Sequence, residues 1–264
     1  MLAELSFPAC SDARFAASNP EPAVSSQHAP DQNRLLASLP SEDYEHLLPD
    51  LQPVALPIGW TVDDVGHRDK YLYFVTEGIV GKFYMMQNGM SAGFAIAGNE
   101  GVIGIASILG GETMPSQAVV LSAGYAYRLS ADLLKSEFAH GGLLLPTLLR
   151  YTQVLITQTG QIVVCNRHHS VEQQLCRWIL SCMDRSPSNE LTMTQDLIAR
   201  MLGVRREGVS DAAGKLQRAG LIHCSRGHIL VLDRPQLESR VCECYAVVKR
   251  EYDRILPRAR RACN

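Results

Sequence analysis

The stretch Leu191-Thr192-Met193-Thr194-Gln195-Asp196-Leu197-Ile198-Ala199-Arg200-Met201-Leu202-Gly203-Val204-Arg205-Arg206-Glu207-Gly208-Val209-Ser210, continued to Asp233, decides the fold. Thr194 is a helix N-cap residue, and Asp196 in the following turn suits the positive end of a helix dipole. Ile198, Met201 and Leu202 recur at helical spacing and form a buried stripe. Gly203 lets the chain turn sharply, and Ala199, four residues earlier, leaves room for a second helix to cross. That second helix is expected from Val204 to Ala219, buried through Val209, Ala212, Ala213 and Leu216. Gly220 stops it. Leu221-Ile222-His223 and His228-Ile229-Leu230-Val231-Leu232 then flank Ser225-Arg226-Gly227, which reads as a β-hairpin. Two helices joined at Gly203 and followed by a hairpin are a winged helix–turn–helix.

Such a pair suits duplex DNA, because the second helix enters the major groove N-terminal end first. Arg205, Arg206, Glu207 and Ser210 stand there as candidate base readers: arginine forks onto guanine, and glutamate accepts from cytosine N4. Thr194, Arg200, Lys215, Arg218 and Arg226 are candidate phosphate contacts, which position the protein without reading sequence. Charge supports a polyanion partner. Residues 1–165 carry 8 Lys+Arg against 16 Asp+Glu, whereas residues 166–264 carry 17 against 11.

Upstream, Val54 to Leu129 reads as short strands punctuated by glycine. Tyr71 to Val75 is followed by a turn at Glu77-Gly78, Ile79 to Met86 by Gln87-Asn88-Gly89, and Val119-Val120-Leu121 and Tyr125 to Leu129 close the region. Asn-Gly between such runs signals a hairpin, and the repeated rhythm a barrel or sandwich. A long helix is expected from Leu143 to Asn166, with Pro146 tolerated in its first turn. Leu148, Leu155 and Ile162 recur every seven residues, with Leu145, Thr152 and Thr159 on the neighbouring seam. The stripe reads either as a coiled-coil dimer seam or as a face packed on the chain's own barrel. Ser170 and Gln173 form a capping box for the next helix, in which Cys176 and Cys182 are core residues.

The expected class is therefore α+β. A Pro- and Ser-rich tail (1–32) precedes a β-roll (33–142), a dimerisation helix (143–168), a winged helix (169–250) and a basic tail (251–264). Hydrophobic residues are 46% of the chain, so a core is affordable, yet no apolar run reaches the ~18 residues of a membrane span. The start lacks a basic region followed by an apolar block, so a secretory signal is not expected, and a cytoplasmic, reducing setting is. The eight cysteines show no CxxC pair and no zinc-finger spacing, so no metal or cofactor is expected. His168-His169 read as shaping the joint between domains. No nucleophile elbow, P-loop or paired acid/base motif points to an enzyme.

The Gly-punctuated roll, the central helix, the capping box and above all Gly203-Val204-Arg205-Arg206-Glu207-Gly208-Val209-Ser210 resemble the Crp/Fnr family of bacterial transcription regulators, over roughly residues 35–250. The resemblance implies a homodimer joined by the central helix (seam Leu148, Leu155, Thr159, Ile162) on an inverted-repeat operator, with RNA polymerase as a further partner. Arg206 and Glu207 match base-reading positions of the cyclic-AMP-responsive members, while Asp211 replaces their second arginine, so the half-site should differ. Cyclic-nucleotide binders carry Gly-Glu-Leu and then Arg-Ser-Ala. Here the runs are Gly104-Ile105-Ala106 and Pro115-Ser116-Gln117-Ala118, without the Glu and without the Arg. A cyclic phosphate would lack its charged partner, so binding in the usual way is not expected. The N-terminal cysteine cluster of the iron–sulfur branch is absent, with only Cys10 present. As a haem ligand, His67 or Cys165 is a remote reading. The alternative is a redox- or small-ligand-sensing module using Cys165, Cys224 and the Cys242/Cys244 pair, with DNA binding secondary.

Overall fold

In a computed structural model the described residues are 29–256, apart from Glu112 and Pro187. Residues 1–28 and 257–264, with Cys10, Cys263 and most of both expected tails, lie outside them. The described chain begins with a 3-10 turn, Pro30–Gln32, and helices α1 (Arg34–Ala37) and α2 (Ser41–Leu47). The expected tail boundary at 32 is corrected here. Asn33 is wholly buried, its Nδ2 donating to the carbonyls of Val75 (2.8 Å) and Gly101 (2.9 Å) while its Oδ1 caps α1. One side chain thus fixes the start of the fold to the sheet.

The roll contains β1 (Gln52–Leu56), β2 (Thr61–Asp63), β3 (Tyr71–Met85), β4 (Ser91–Ala97), β5 (Val102–Ile103) and β6 (Ser116–Ser130), with a short helix α3 (Ala106–Leu109) before β6. The antiparallel order is β1-β6-β3-β4, with β2 paired to β6 and β5 to β3. The Gln87-Asn88-Gly89 hairpin joins β3 to β4, with Gly89 at φ +81°. The turn expected at Glu77-Gly78 is instead a break in the register inside one continuous strand, β3. The two runs expected at Val119 and Tyr125 are likewise halves of β6. Glycine makes this possible. A Cβ on Gly124 would lie 2.0 Å from the Glu77 carbonyl oxygen, and one on Gly78 (φ +91°) 2.6 Å from that of Ser122. Where two long strands bend together, backbone occupies the space of a side chain.

After α4 (Ala131–His140), α5 runs from Leu144 to His168, two residues beyond the expected end. Leu148, Tyr151, Val154 and Leu155 pack into the roll's core with Leu72, Phe74 and Leu129. The expected seam needs correction at this point. Leu148, Leu155 and Ile162 are buried within the chain itself and offer little apolar area to a second copy. The exposed stripe sits one residue on, at Leu149, Ile156 and Val163, flanked by half-buried Thr152 and Thr159. A heptad spacing fixes a stripe's period but not which of two adjacent stripes faces the chain's own core.

The C-terminal part comprises α6 (Val171–Met183), β7 (Glu190–Thr192), α7 (Gln195–Leu202), α8 (Arg206–Arg218), β8 (Ile222–Ser225), β9 (His228–Val231), α9 (Arg234–Arg240) and α10 (Glu243–Ile255). The Ser170–Gln173 capping box opens α6. Leu175, Trp178, Ile198, Leu202, Val209, Leu216, Ile229 and Leu237 share one core. That core continues into the roll through Ile79, Phe83, Ile96 and Leu121. Met201 of α7 sits over Gly81 and Gly93, where any Cβ would meet its side chain at 3.1 Å or less. The basic tail expected from 251 is also corrected. Residues 251–255 finish α10, whose Tyr252 and Ile255 enter the roll's core beside α5.

Candidate nucleic-acid interface

The interface is built from the α7–α8 pair and the hairpin β8–β9. Thr194 Oγ1 accepts from Leu197 N at 3.2 Å and so caps α7. Gly203 ends that helix in the left-handed region at φ +66°. Arg205 is extended backbone immediately before α8 and makes no side-chain cap. The donor groups that open α8 are therefore not covered by their own N-cap side chain, as an anion site at a helix start requires. Val209, Ala212, Ala213 and Leu216 are buried, which turns Arg205, Arg206 and Glu207 outward.

Arg206 Nη1 is 3.6 Å from Asp196 Oδ2, with both side chains mostly exposed, so their pairing in water is weak and exchangeable. Ser210 is half-buried and donates to Gln195 Oε1 at 2.7 Å, which fixes the angle between α7 and α8. Lys215 and Arg218 are exposed further along α8, and Arg226 is exposed at the hairpin tip beside Gly227 (φ +76°). A cleft of about 440 Å³ separates Thr194, Asp196 and Arg206 from Ser225–His228 of the hairpin.

Arg200 is placed differently from the expected phosphate contact. Its guanidinium lies over the Phe83 ring (5.3 Å) and its Nε donates to Ser91 Oγ at 3.0 Å, so it holds α7 to the β3–β4 hairpin. No local pattern signals that α7 meets the roll. The sequence also hid β7, which pairs with β9 and supports the hairpin through Glu190 Oε1 and His228 Nδ1 at 2.8 Å.

In the roll, Ile105 is buried and Gly104 (φ +92°) lies against Tyr71, a Cβ there meeting its carbonyl oxygen at 2.4 Å. Ser116 is fully buried, and its Oγ has no hydrogen-bond partner. A cleft of about 220 Å³ nearby is lined by Asp63, Asp64, Asp69, Arg68, Lys70 and Tyr73 among others. Asp63 is buried there, and burial, then the neighbouring Asp69 carboxyl, push its pKa up to about 7. His67 is exposed, its Nδ1 3.3 Å from the Val65 carbonyl oxygen, unlike an enclosed axial ligand.

The expectation of no metal-ligand set is corrected too. Cys165 and His169, at the end of α5, meet Cys242 and Cys244, at the start of α10, with all four donor atoms within 4.8 Å of one another. Each half is visible in the sequence as a short i,i+4 or i,i+2 pair. Only folding joins the halves. Among the described residues no helix is long and apolar enough to cross a membrane.

Comparison with known proteins agrees with this geometry. Residues 173–240 match the Crp-like helix-turn-helix domain. The chain is 26% identical over 197 residues to the CRP-like cAMP-activated global transcriptional regulator of Mycobacterium tuberculosis, covering 72% of this chain and 88% of that protein. Its fold is similar to FixK2 from Bradyrhizobium japonicum, at TM-score 0.64 and 15% identity over 73% of this chain and 98% of the other. It is also similar to the c-di-GMP responsive global regulator CLP of Xanthomonas campestris, at TM-score 0.60 and 17% identity over 74% and 100%. With its roll, its long central helix and a helix–turn–helix whose outer face is exposed, the chain carries a Crp-like helix-turn-helix domain on a fold similar to that of Crp/Fnr regulators.

Proposed function

We propose that this regulator binds an inverted-repeat operator as a homodimer, and that its roll does not hold a cyclic nucleotide in the manner of the cyclic-AMP-responsive members. The observation that carries the reading is the uncovered first turn of α8. Arg205, Arg206 and Glu207 project from it, while the opposite face is buried. In this reading Arg206 and Glu207 contact base edges, with Arg205 beside them. Ser210 is left to accept, because its proton is committed to Gln195. Thr194, Lys215, Arg218 and Arg226 contact phosphates on either side. Arg200 is withdrawn from that set.

The dimer seam in this reading is Leu149, Ile156 and Val163, with Thr152 and Thr159 at the intervening positions. Pairing along it sets two copies of α8 against half-sites one turn apart, about 34 Å. In the roll, buried Asp63 and Asp69 place carboxyl groups beside the cleft near Gly104. The lack of an arginine clamp at Pro115–Ala118 disfavours a cyclic phosphate held in that manner. A signal reaching the roll has a direct mechanical route to the reading head, because Met201 and Arg200 of α7 rest on β3 and β4. Regulation is then a shift between docked and released α7 populations.

The test is selection from a random duplex library by the purified protein near physiological salt, where phosphate contacts alone no longer dominate. Enrichment of an inverted repeat, lost with Arg206→Ala and Glu207→Ala, supports the reading. Unchanged preference in both variants overturns it.

A further inference from the structure

We propose that Cys165, His169, Cys242 and Cys244 form a closed tetrahedral zinc site that staples the end of α5 to the start of α10. The inference stands apart from the DNA-binding reading. None of these residues belongs to the α7–α8 face.

The geometry is that of a site built before its ion. Cys165 Sγ and Cys242 Sγ are 3.6 Å apart, and Cys244 Sγ is 3.5 Å from His169 Nδ1. Four donors around zinc at about 2.0–2.3 Å must lie roughly 3.5–3.8 Å from each other, the edge of a tetrahedron. The three sulfurs are buried, and His169 is half-buried. Three thiolates and one imidazole are a structural zinc set with no open coordination position. They are also too soft for magnesium or calcium, which take oxygen.

The surroundings are those such a site needs. His169 presents Nδ1 to the cluster, while its Nε2 lies 3.3 Å from Glu243 Oε2. A carboxylate on the far nitrogen fixes the tautomer and ring orientation of a metal-binding histidine. Gln161 Nε2 donates to Cys244 Sγ at 3.1 Å, and Arg177 Nε donates to Cys165 Sγ at 3.2 Å. The charges close as well. Zinc with three thiolates carries one net negative charge, and the buried Arg177 guanidinium supplies the matching positive one. Binding displaces the thiol protons to solvent, one from each cysteine not already ionised.

The site's place in the fold gives it a consequence. His169 is the first residue past α5, immediately before the cap of α6, and so lies at the joint between roll and winged helix. From Cys244, α10 runs back along α5 and ends in the roll's core through Tyr252 and Ile255. One ion at this point fixes the joint from both sides.

Elemental analysis of the full-length protein, purified under reducing conditions and then dialysed against zinc, reads the stoichiometry. Cobalt titration of metal-stripped protein reads the ligands, because thiolate–cobalt charge-transfer bands and intense tetrahedral d–d bands require this donor set. One metal per chain is expected, lost in Cys244→Ser and Cys165→Ser and retained in Cys224→Ser. Glu243 is exposed, so Glu243→Gln leaves the fold intact and should weaken zinc by roughly 10–100-fold in competition with a chromophoric chelator. Three outcomes overturn the proposal. They are wild-type protein that takes up no zinc and gives no thiolate–cobalt bands, metal that survives both Cys165→Ser and Cys244→Ser, and a Cys165–Cys242 disulfide found by mass spectrometry in reduced, zinc-treated protein. None of these readouts involves DNA, so their failure leaves the operator reading untouched.

Discussion

Arg185, just past the end of α6, donates from Nε to Oε1 of Glu100, in the loop between β4 and β5, at 2.5 Å, with both side chains more than nine-tenths buried. The same guanidinium donates to the Ser181 carbonyl at 2.6 Å and lies over the Tyr252 ring at 5.3 Å. Burial by itself lowers the guanidinium pKa, but the Glu100 carboxylate, together with Tyr252 and Cys182, outweighs this and holds Arg185 above its usual range. Roll, winged helix and α10 therefore meet at one ion pair. Glu100→Ala should destabilise the protein by about 3–5 kcal/mol, because it leaves a buried charge without its partner. Adding Arg185→Met should recover part of that loss. Denaturant unfolding of the two variants checks both statements, and equal instability of single and double variants would contradict them.

The contact between α7 and the roll predicts a second effect. A Cβ on Gly93 would approach the Met201 carbonyl oxygen at 2.9 Å and its Cε at 2.6 Å. A methionine tip can move, but the backbone of α7 cannot without leaving the sheet. Gly93→Val should raise amide exchange throughout Gln195–Leu202 and change operator affinity, while exchange in α5 stays as it was. Hydrogen–deuterium exchange reads this, and an unchanged α7 would show that the contact does not restrain the helix.

Base and phosphate contacts separate by their salt behaviour. Arg206→Ala should cost about 1–3 kcal/mol on the selected operator and relax preference at one base pair. Arg218→Ala should weaken all sequences about equally and reduce the salt slope by about 1. Affinity measured at several salt concentrations on matched and scrambled duplexes distinguishes the two.

The two adjacent stripes on α5 give opposite results. Ile156→Glu places a charge on the exposed stripe and should shift the protein to monomer in sedimentation with little loss of fold. Leu155→Ala empties a position in the chain's own core and should cost about 2–5 kcal/mol of stability while the oligomer persists. If Ile156→Glu left the sedimentation coefficient unchanged, the seam would have to lie elsewhere.

Asp63 sets a pH dependence. Its carboxyl has an ordinary value near 3.8 and is raised to about 7 in the fold by burial, then by Asp69. Between these values the folded chain holds a proton that the unfolded chain releases. Asp63 therefore makes stability fall as pH rises from about 4 to about 7. Asp63→Asn should flatten that part of the profile, and thermal unfolding at a series of pH values measures the slope.

The sequence by itself determined the local pieces. The Ser170–Gln173 cap, the Asn88-Gly89 hairpin, the left-handed Gly203 and the buried faces of α7 and α8 follow from short-range rules of capping, turn chemistry and periodicity. The exposure of Arg205–Glu207 was legible for the same reason, since burying Val209, Ala212 and Leu216 turns the other side outward. Tertiary structure decided what depends on which surfaces meet. The side of α5 that enters the core is chosen by the roll and α10, so Leu148, Leu155 and Ile162 went inward and Leu149, Ile156 and Val163 stayed free. Arg200 meets Phe83 and Ser91 of the roll, a contact between segments more than a hundred residues apart. Glu77-Gly78 reads as a turn, yet its glycine serves a bend shared with Gly124 on another strand. Four metal-type donors came together only because α10 folds back along α5, and no local spacing records a contact between segments so far apart in the chain.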